Sequence, residues 1–219
     1  MKVEIQSVLN VLHSPSYATL ATQSVAMPGY PYATVVANVQ DADHCPVVLV
    51  SALAEHTHNL NNNPYVSLSL IDETIAVSAQ EAPRLTLVAD ALVYEPSQEF
   101  TRRYLRYVPE AERYLALDFS FFKLRVKALR YIGGLGRMGW LKADDLSSLP
   151  LVSLHEEQTL LDRAADWAPN DVDLLGLDYW GIDYRVKGLR RRTEWKNPGD
   201  RSVFTSGAFR STIEGLSNV

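Results

Sequence analysis

The residues best suited to chemistry lie in one run, Ser51-Ala52-Leu53-Ala54-Glu55-His56-Thr57-His58-Asn59-Leu60, which gathers two imidazoles, two hydroxyls, a carboxylate and a carboxamide. Imidazole and hydroxyl groups donate to anionic oxygens, and neutral imidazole ligates metals. The run follows the apolar segment Pro46 to Val50, so Ser51 is read as a helix N-cap and Ala52 to Asn61 as a brief helix stopped by Asn61-Asn62-Asn63-Pro64. A helix start in that place points free amides at an anionic group, which the helix dipole favours. The same residues also suit a solvated helix with Ser51 as an ordinary cap, because most histidines do no chemistry.

Three further groups bear on the same question. Lys123, Arg125 and Lys127 alternate along one strand face, which suits either a wet outer surface or the binding of carboxylate or phosphate where subunits meet. Arg190-Arg191-Arg192, near Lys187 and Lys196, poses the same choice, and a solvated strand is the plainer reading there. Gly133-Gly134-Leu135-Gly136-Arg137 lacks the spacing and the Lys-Ser/Thr pair of nucleotide loops, so its glycines serve a strand exit or the close approach of a planar ligand. Asp118 can orient a donor or cap a turn. No nucleophile elbow, H-E-x-x-H helix or paired-carboxylate motif is present, which leaves hydrolysis without support. Cys45 is the only cysteine, so an internal disulfide and a multi-thiolate metal site are excluded and a reducing compartment is expected.

The elements that must hold these groups follow from periodicity. Val3, Ile5, Val8, Leu9 and Leu12 recur at helical spacing until Ser14-Pro15-Ser16 ends the helix. The β-branched and aromatic runs 17–22 and 32–39 flank Met27-Pro28-Gly29-Tyr30-Pro31 and predict a hairpin. Further strands are expected at 46–50, 65–71 and 84–93, and helical stretches run from Pro96-Ser97 to Tyr107 and from Pro109 to Leu117. Period two returns over 121–132, with Phe122, Leu124, Val126 and Ala128 on one face. Six short, mostly antiparallel strands predict a closed barrel. A polar connection at 143–150 divides residues 1–142 from 150–219, and the tail reads as a small α-β-β-α unit: helix 156–167, strands 177–185 and 189–195, helix 200–216. The fold class is mainly β with α. Net charge −5 argues against nucleic acid as a partner, and no stretch is apolar for the length of a membrane span. A cytoplasmic protein with no membrane partner is expected.

Taken in order, Ala18-Thr19-Leu20-Ala21-Thr22, Gly29-Tyr30-Pro31-Tyr32-Ala33-Thr34, the run 51–60 and Asn63-Pro64-Tyr65-Val66-Ser67-Leu68 resemble the pyridoxamine 5'-phosphate oxidase-like, FMN-binding split-barrel superfamily. The sub-pattern S-x-L-A-x-H-T-x-N-L, Pro83-Arg84-Leu85-Thr86-Leu87, Asp118-Phe119 and Gly133-Gly134-Leu135-Gly136 are similar to its HugZ/HutZ-type haem-utilisation branch. Leu175-Gly176-Leu177-Asp178-Tyr179-Trp180-Gly181-Ile182-Asp183 resembles the small C-terminal domain often appended there. The resemblance implies a split β-barrel that forms a homodimer, with haem or FMN in the cleft between subunits. The cofactor contacts it implies are Thr34, Ser51, His56, Thr57, Asn59, Asp118, Lys123, Arg125 and Arg137. His56, Thr57 and Asn59 would meet the ligand's anionic edge, Arg125 and Arg137 would supply positive charge, and Asp118 would orient a donor or a water.

Family members that act on haem open its ring oxidatively and hold iron through a tail histidine in an H-M-N-x-D-H stretch. Here that helix reads Leu160-Leu161-Asp162-Arg163-Ala164-Ala165-Asp166-Trp167, and neither Arg163 nor Trp167 replaces an imidazole on iron. His155 lies about two helical turns too early. Three readings stand: His155 in a shifted register, His56 or His58 on iron, or a member that does not degrade haem, the last being preferred. Flavin-binding members tend to have Arg or Lys at the phosphate where this chain has His56, with Lys123 or Arg125 left to compensate. Two functions follow: a haem- or flavin-binding protein, acting on haem as an oxidoreductase or not, and a non-catalytic dimeric scaffold for a tetrapyrrole or a protein partner. In either case His56 is expected to matter for the ligand and His13 is not.

Overall fold

Eight antiparallel strands form one curled sheet in the computed structural model, which describes residues 3–72, 81–134, 137–205 and 207–218. In chain order they are β1 (Tyr17–Gln23), β2 (Pro31–Ala37), β3 (Val39–Gln40), β4 (Pro46–Ser51), β5 (Tyr65–Ile71), β6 (Arg84–Tyr94), β7 (Phe119–Ile132) and β8 (Met138–Lys142). The order across the sheet is β2-β1-β5-β6-β7-β4-β3, with β8 added alongside β7. Its two edges, β2 and β3, are separated in the chain by Asn38 alone. The barrel is therefore joined by one bent stretch of chain and not by a ladder of hydrogen bonds, which makes it a split barrel with covalently linked edges.

Helix α1 (Ile5–His13) lays Val8, Leu9 and Leu12 into the interior, where they meet Leu20, Val48, Val50, Leu68, Leu70, Leu85, Leu87 and Leu124 in one continuous core. Helix α2 (Glu55–Asn62) follows β4, and α3 (Gln98–Tyr107) is capped by Ser97, whose Oγ accepts from the Phe100 amide at 3.1 Å. Beneath α3 a second cluster forms from Phe100, Tyr104 and Phe121, with Tyr104 and Phe121 edge to face at 5.1 Å. Phe122, Leu124 and Val126 point inward as their spacing predicts. Ala128 does not, because a bulge opposite Val88 and Ala89 leaves Lys127 without a partner in the ladder and hands the inner face to Leu129 and Tyr131.

Two strands were not legible by pattern. The two-residue β3 is too short to show periodicity, and β8 lies beyond the glycines at 133–134, where Met138 and Trp140 remain exposed. After α4 (Ala143–Ser147), the tail is α5 (Leu154–Ala165), β9 (Val172–Leu177), β10 (Gly181–Val186), β11 (Leu189–Glu194) and α6 (Gly207–Glu214). The expected α-β-β-α unit thus gains a strand. What reads as one segment interrupted at Gly181 is the turn between β9 and β10, fixed by Asp178 Oδ1 accepting from the Trp180 and Gly181 amides at 2.7 and 3.0 Å.

The tail packs onto its own barrel, and its apolar residues Leu177, Ile182, Tyr184 and Ile213 belong to the same core cluster as α1. Gly176 is required where β9 passes α3, since a Cβ there would lie 2.6 Å from Arg103 Nη1 and 2.7 Å from Glu157 Oε1. Gly176→Ala is expected to lower stability by about 1–3 kcal/mol in urea denaturation. Gly207→Ala, where a Cβ meets nothing within 4 Å, should leave the midpoint unchanged.

Candidate functional site

The run after β4 folds differently from its sequence reading. Ser51 is the last residue of β4, paired with Phe119, and α2 begins at Glu55 behind Ala54 as N-cap. Ser51 Oγ still accepts a hydrogen bond, from the Leu53 amide at 3.3 Å, so it shapes the turn ahead of the helix and does not cap it. The Ala52 amide donates to the Asp118 carbonyl at 2.9 Å, which ties the start of β7 to the same turn while the Asp118 side chain stays exposed.

Thr57 and Asn59 turn inward. Thr57 Oγ1 donates to the Ser51 carbonyl at 2.6 Å. The fully buried Asn59 carboxamide donates to Thr22 Oγ1 at 2.9 Å and accepts from the Val25 amide at 2.8 Å. These bonds latch α2 to the end of β1 and leave His56 as the half-buried side chain facing out, with no hydrogen-bond partner among the described residues. Burial alone lowers its pKa from the ordinary imidazole value, so it is neutral near pH 7. His58 and His155 are exposed.

The other expected contacts do not converge on this turn. Thr34 lies opposite Leu20 on the inward face of β2. Lys123 is held by Asp41 at 2.7 Å and Asp43 at 2.8 Å, above the Tyr94 ring. Arg125, largely exposed, reaches Asp90 at 3.5 Å, which Lys127 also holds at 2.8 Å. Arg137 is exposed at the opposite end of β7, in the turn to β8, where Gly134 adopts φ 97° and the Gly133 amide donates to the Arg137 carbonyl at 2.8 Å. That turn serves a hairpin, and its Leu135 and Gly136 lie outside the described residues. The structure therefore gathers Ser51, His56, Thr57, Asn59 and Asp118 and leaves Thr34, Lys123, Arg125 and Arg137 elsewhere.

None of the nine lines a groove of about 590 Å³, which opens at the other end of β1 between the sheet's outer face and β11. Tyr17, Val35, Ile71 and Leu189 form its apolar wall, Thr19 and Ser69 its floor, and Arg191 its charged edge.

A second constellation was missed from sequence. His13, His44, Asp178, Asp183 and Arg192 meet in the interior where tail and barrel join. His13 Nδ1 is 2.9 Å from Asp183 Oδ2, and since an ionised carboxylate only accepts, Nδ1 carries the proton. His13 Nε2 is then the acceptor for His44 Nδ1–H at 3.0 Å. Burial pushes the His44 imidazole down to about 3, so it is neutral. Arg192 bridges Asp183 at 2.6 Å and Asp178 at 2.7 Å, and Tyr107 donates to Asp183 at 2.6 Å. Burial raises the carboxyl pKa values, but Arg192 and the neighbouring imidazoles together outweigh it, and both stay below the ordinary range. Alongside, Glu157 receives Arg103 and Arg106, the latter at 2.8 Å. The basic run at 190–192 is thus no solvated strand: Arg190 and Arg192 are buried, and Arg190 donates to the Pro15 carbonyl at 2.8 Å. His13, expected to be a bystander, is a core residue.

Two outcomes follow. Asn59→Ala is expected to cost about 1–3 kcal/mol and to speed hydrogen exchange at the Val25 amide, because a buried donor and acceptor lose their partners. Burial raises the Asp41 carboxyl, but its Lys123 hydrogen bond and the Ala42 amide bring the net value below the ordinary one. Its stabilisation is therefore complete above about pH 4 and is lost as pH falls through the depressed folded value. Asp41→Asn should flatten that acid limb in a series of melts across pH.

Residues 4–133 match the family described as pyridoxamine 5'-phosphate oxidase. The chain is 35% identical over 132 residues, 59% of its length, to the chloroplastic heme oxygenase HOZ of Arabidopsis thaliana, and spans 40% of that protein. It is 30% identical over 137 residues, 58% of its length, to the heme oxygenase HutZ of Vibrio cholerae, and spans 76% of it. Among solved structures it is similar in fold to Atu2129 of Agrobacterium tumefaciens, a protein of unknown function, with a TM-score of 0.72 at 22% identity over 94% of this chain and 93% of that one. The split barrel and the matched span agree: this chain belongs to the pyridoxamine 5'-phosphate oxidase family, on the branch that includes HutZ.

Proposed function

We propose that the chain binds haem as a homodimer, with His56 at the iron. The observation that carries this reading is the state of His56: a half-buried, neutral imidazole with no partner among the described residues, while His13 and His44 are held in the interior. Neutral imidazole is a good axial ligand to haem iron and a poor partner for a phosphate. The donor set therefore fits haem better than FMN, because Lys123 is engaged by two carboxylates and Arg125 shares Asp90. Bound haem would supply the redox-active iron. The chain's own part is to ligate it, to cover its apolar ring and to meet its propionates. The names of HOZ and HutZ support the same ligand.

The dimer is supported by the outer face of the sheet. Small and apolar side chains run across it in register, Val35–Thr19–Ser69–Thr86 in one row and Ala33–Ala21–Ser67–Val88 in the next, with Val35 69% exposed. A face of small and apolar side chains of this kind suits a self-complementary copy. The groove has walls and Arg191 but no imidazole, whereas His56 lies outside it. A second copy turned end for end along β1 supplies each with what it lacks. Residues 1–142 then carry His56 and most of the groove, and 150–219 add Leu189 and Arg191 to its wall and edge. Asp178 with Arg192, and Arg163 packed over the Trp167 ring, bind the tail together. No helix among the described residues is long and apolar enough to cross a membrane, and the lone Cys45, its thiol pushed up to about 11 by burial, fits a cytoplasmic setting.

Haemin titration followed by the Soret band tests this reading. His56→Ala is expected to weaken binding about tenfold or more, and His58→Ala to leave it near the original value. Val88→Arg is expected to give a monomer in light scattering that binds haemin as weakly as His56→Ala. Equal affinities in all three variants would overturn the reading, and a yellow protein whose flavin is displaced by phosphate would replace haem with FMN.

A further inference from the structure

The junction between α1, the turn before β4 and the β9–β10 turn has a geometry that hydrogen bonding alone does not require. His13 Nε2, His44 Nδ1 and Asp178 Oδ2 face one another with separations of 3.0, 3.7 and 3.9 Å. A point equidistant from three atoms so spaced lies about 2.1 Å from each, which is the bond length of zinc to imidazole nitrogen and carboxylate oxygen. All three residues are buried, and with Asp41, Arg103 and Glu157 they line a small void of about 10 Å³, room for one water beside an ion held between the three ligand atoms.

From this convergence we infer a metal site: His13, His44 and Asp178 bind one divalent transition ion of the zinc class, with a water from the void as a fourth ligand.

The surroundings suit that role. A ligating imidazole needs its other nitrogen fixed by a carboxylate, and Asp183 does this for His13 Nδ1 at 2.9 Å. Asp178 is oriented by the Trp180 and Gly181 amides on Oδ1, so Oδ2 is the oxygen turned toward the imidazoles. Arg192 also donates to Oδ2, at 2.8 Å, which leaves that oxygen a second lone pair for the ion. His44 reaches the site from a left-handed backbone, φ 61°, a conformation that His tolerates better than most residues. Its Nε2 is buried and has no hydrogen-bond partner. Metal on Nδ1 moves the Nδ1 proton to that bare nitrogen, so both imidazoles stay neutral and no proton is lost. The ion would join three segments far apart in sequence, and its binding would appear directly as stability of the tail–barrel junction.

The test uses the full chain, stripped with chelator and free of haem, so that it stands or falls apart from the reading of His56. Zinc chloride is expected to leave one ion per chain after gel filtration and to raise the melting temperature. Cobalt is expected to give the intense visible bands of a four-coordinate site. His44→Gln, checked for folding by circular dichroism, should retain at least about tenfold less metal, whereas His58→Ala should retain as much as the unmodified chain. If His44→Gln does not fold, the cobalt spectrum of the unmodified chain decides. Retention unchanged in a folded His44→Gln, no melting shift with zinc, or only the pale spectrum of hydrated cobalt would each overturn the inference.

Discussion

Asp178 and Asp183 are buried charges, and the arrangement of the two halves of the chain follows from how they are satisfied. Removing a carboxylate from water is costly unless cations and donors replace the water, and breaking one partner of such a set costs about 3–5 kcal/mol. Here Arg192 comes from β11, His13 from α1, Tyr107 from α3 and two amides from the β9–β10 turn. Of these, His13 and Tyr107 come from outside the tail, so they tie its carboxylates to α1 and α3. The junction fixes where α1 ends, how β10 faces the barrel and, through Glu157 with Arg103 and Arg106, how α5 lies on α3.

That constraint also sorts the histidines. Two of five are held in the interior as neutral, hydrogen-bonded rings, and two are exposed. His56 is left between these extremes because Thr57 and Asn59, its neighbours on α2, use their side chains to bind the helix to β1. The same residues that looked like ligand contacts thus act as the scaffold that presents one imidazole. Division of labour of this kind is common where a site must be held rigidly, since first contacts need neighbours that cannot move.

The barrel was legible in the sequence because its signals are local. Alternation in Tyr65–Ile71 and Arg84–Tyr94, the proline after Ser14 and the cap at Ser97 each act within a few residues, and the structure follows them. The failures are non-local. Ser51 resembled a cap, but pairing with Phe119 across the sheet kept it in β4. The turn at Asp178 read as part of a strand because nothing nearby says that its carboxylate will be needed for two amides and an arginine. Likewise, His13, His44 and Arg192 are far apart in sequence, and only the packing of the tail on α1 makes them neighbours. The run 190–192 looked solvated because three arginines in a row usually are.

The junction keeps His13 and His44 in the interior, away from haem, and leaves His56 to meet it. Two-dimensional NMR of the five imidazoles through a haemin titration tests this directly. The His56 ring signals are expected to shift or broaden with the first equivalents while those of His13 and His44 keep their positions. A response from His13 or His44 with His56 unmoved would contradict it.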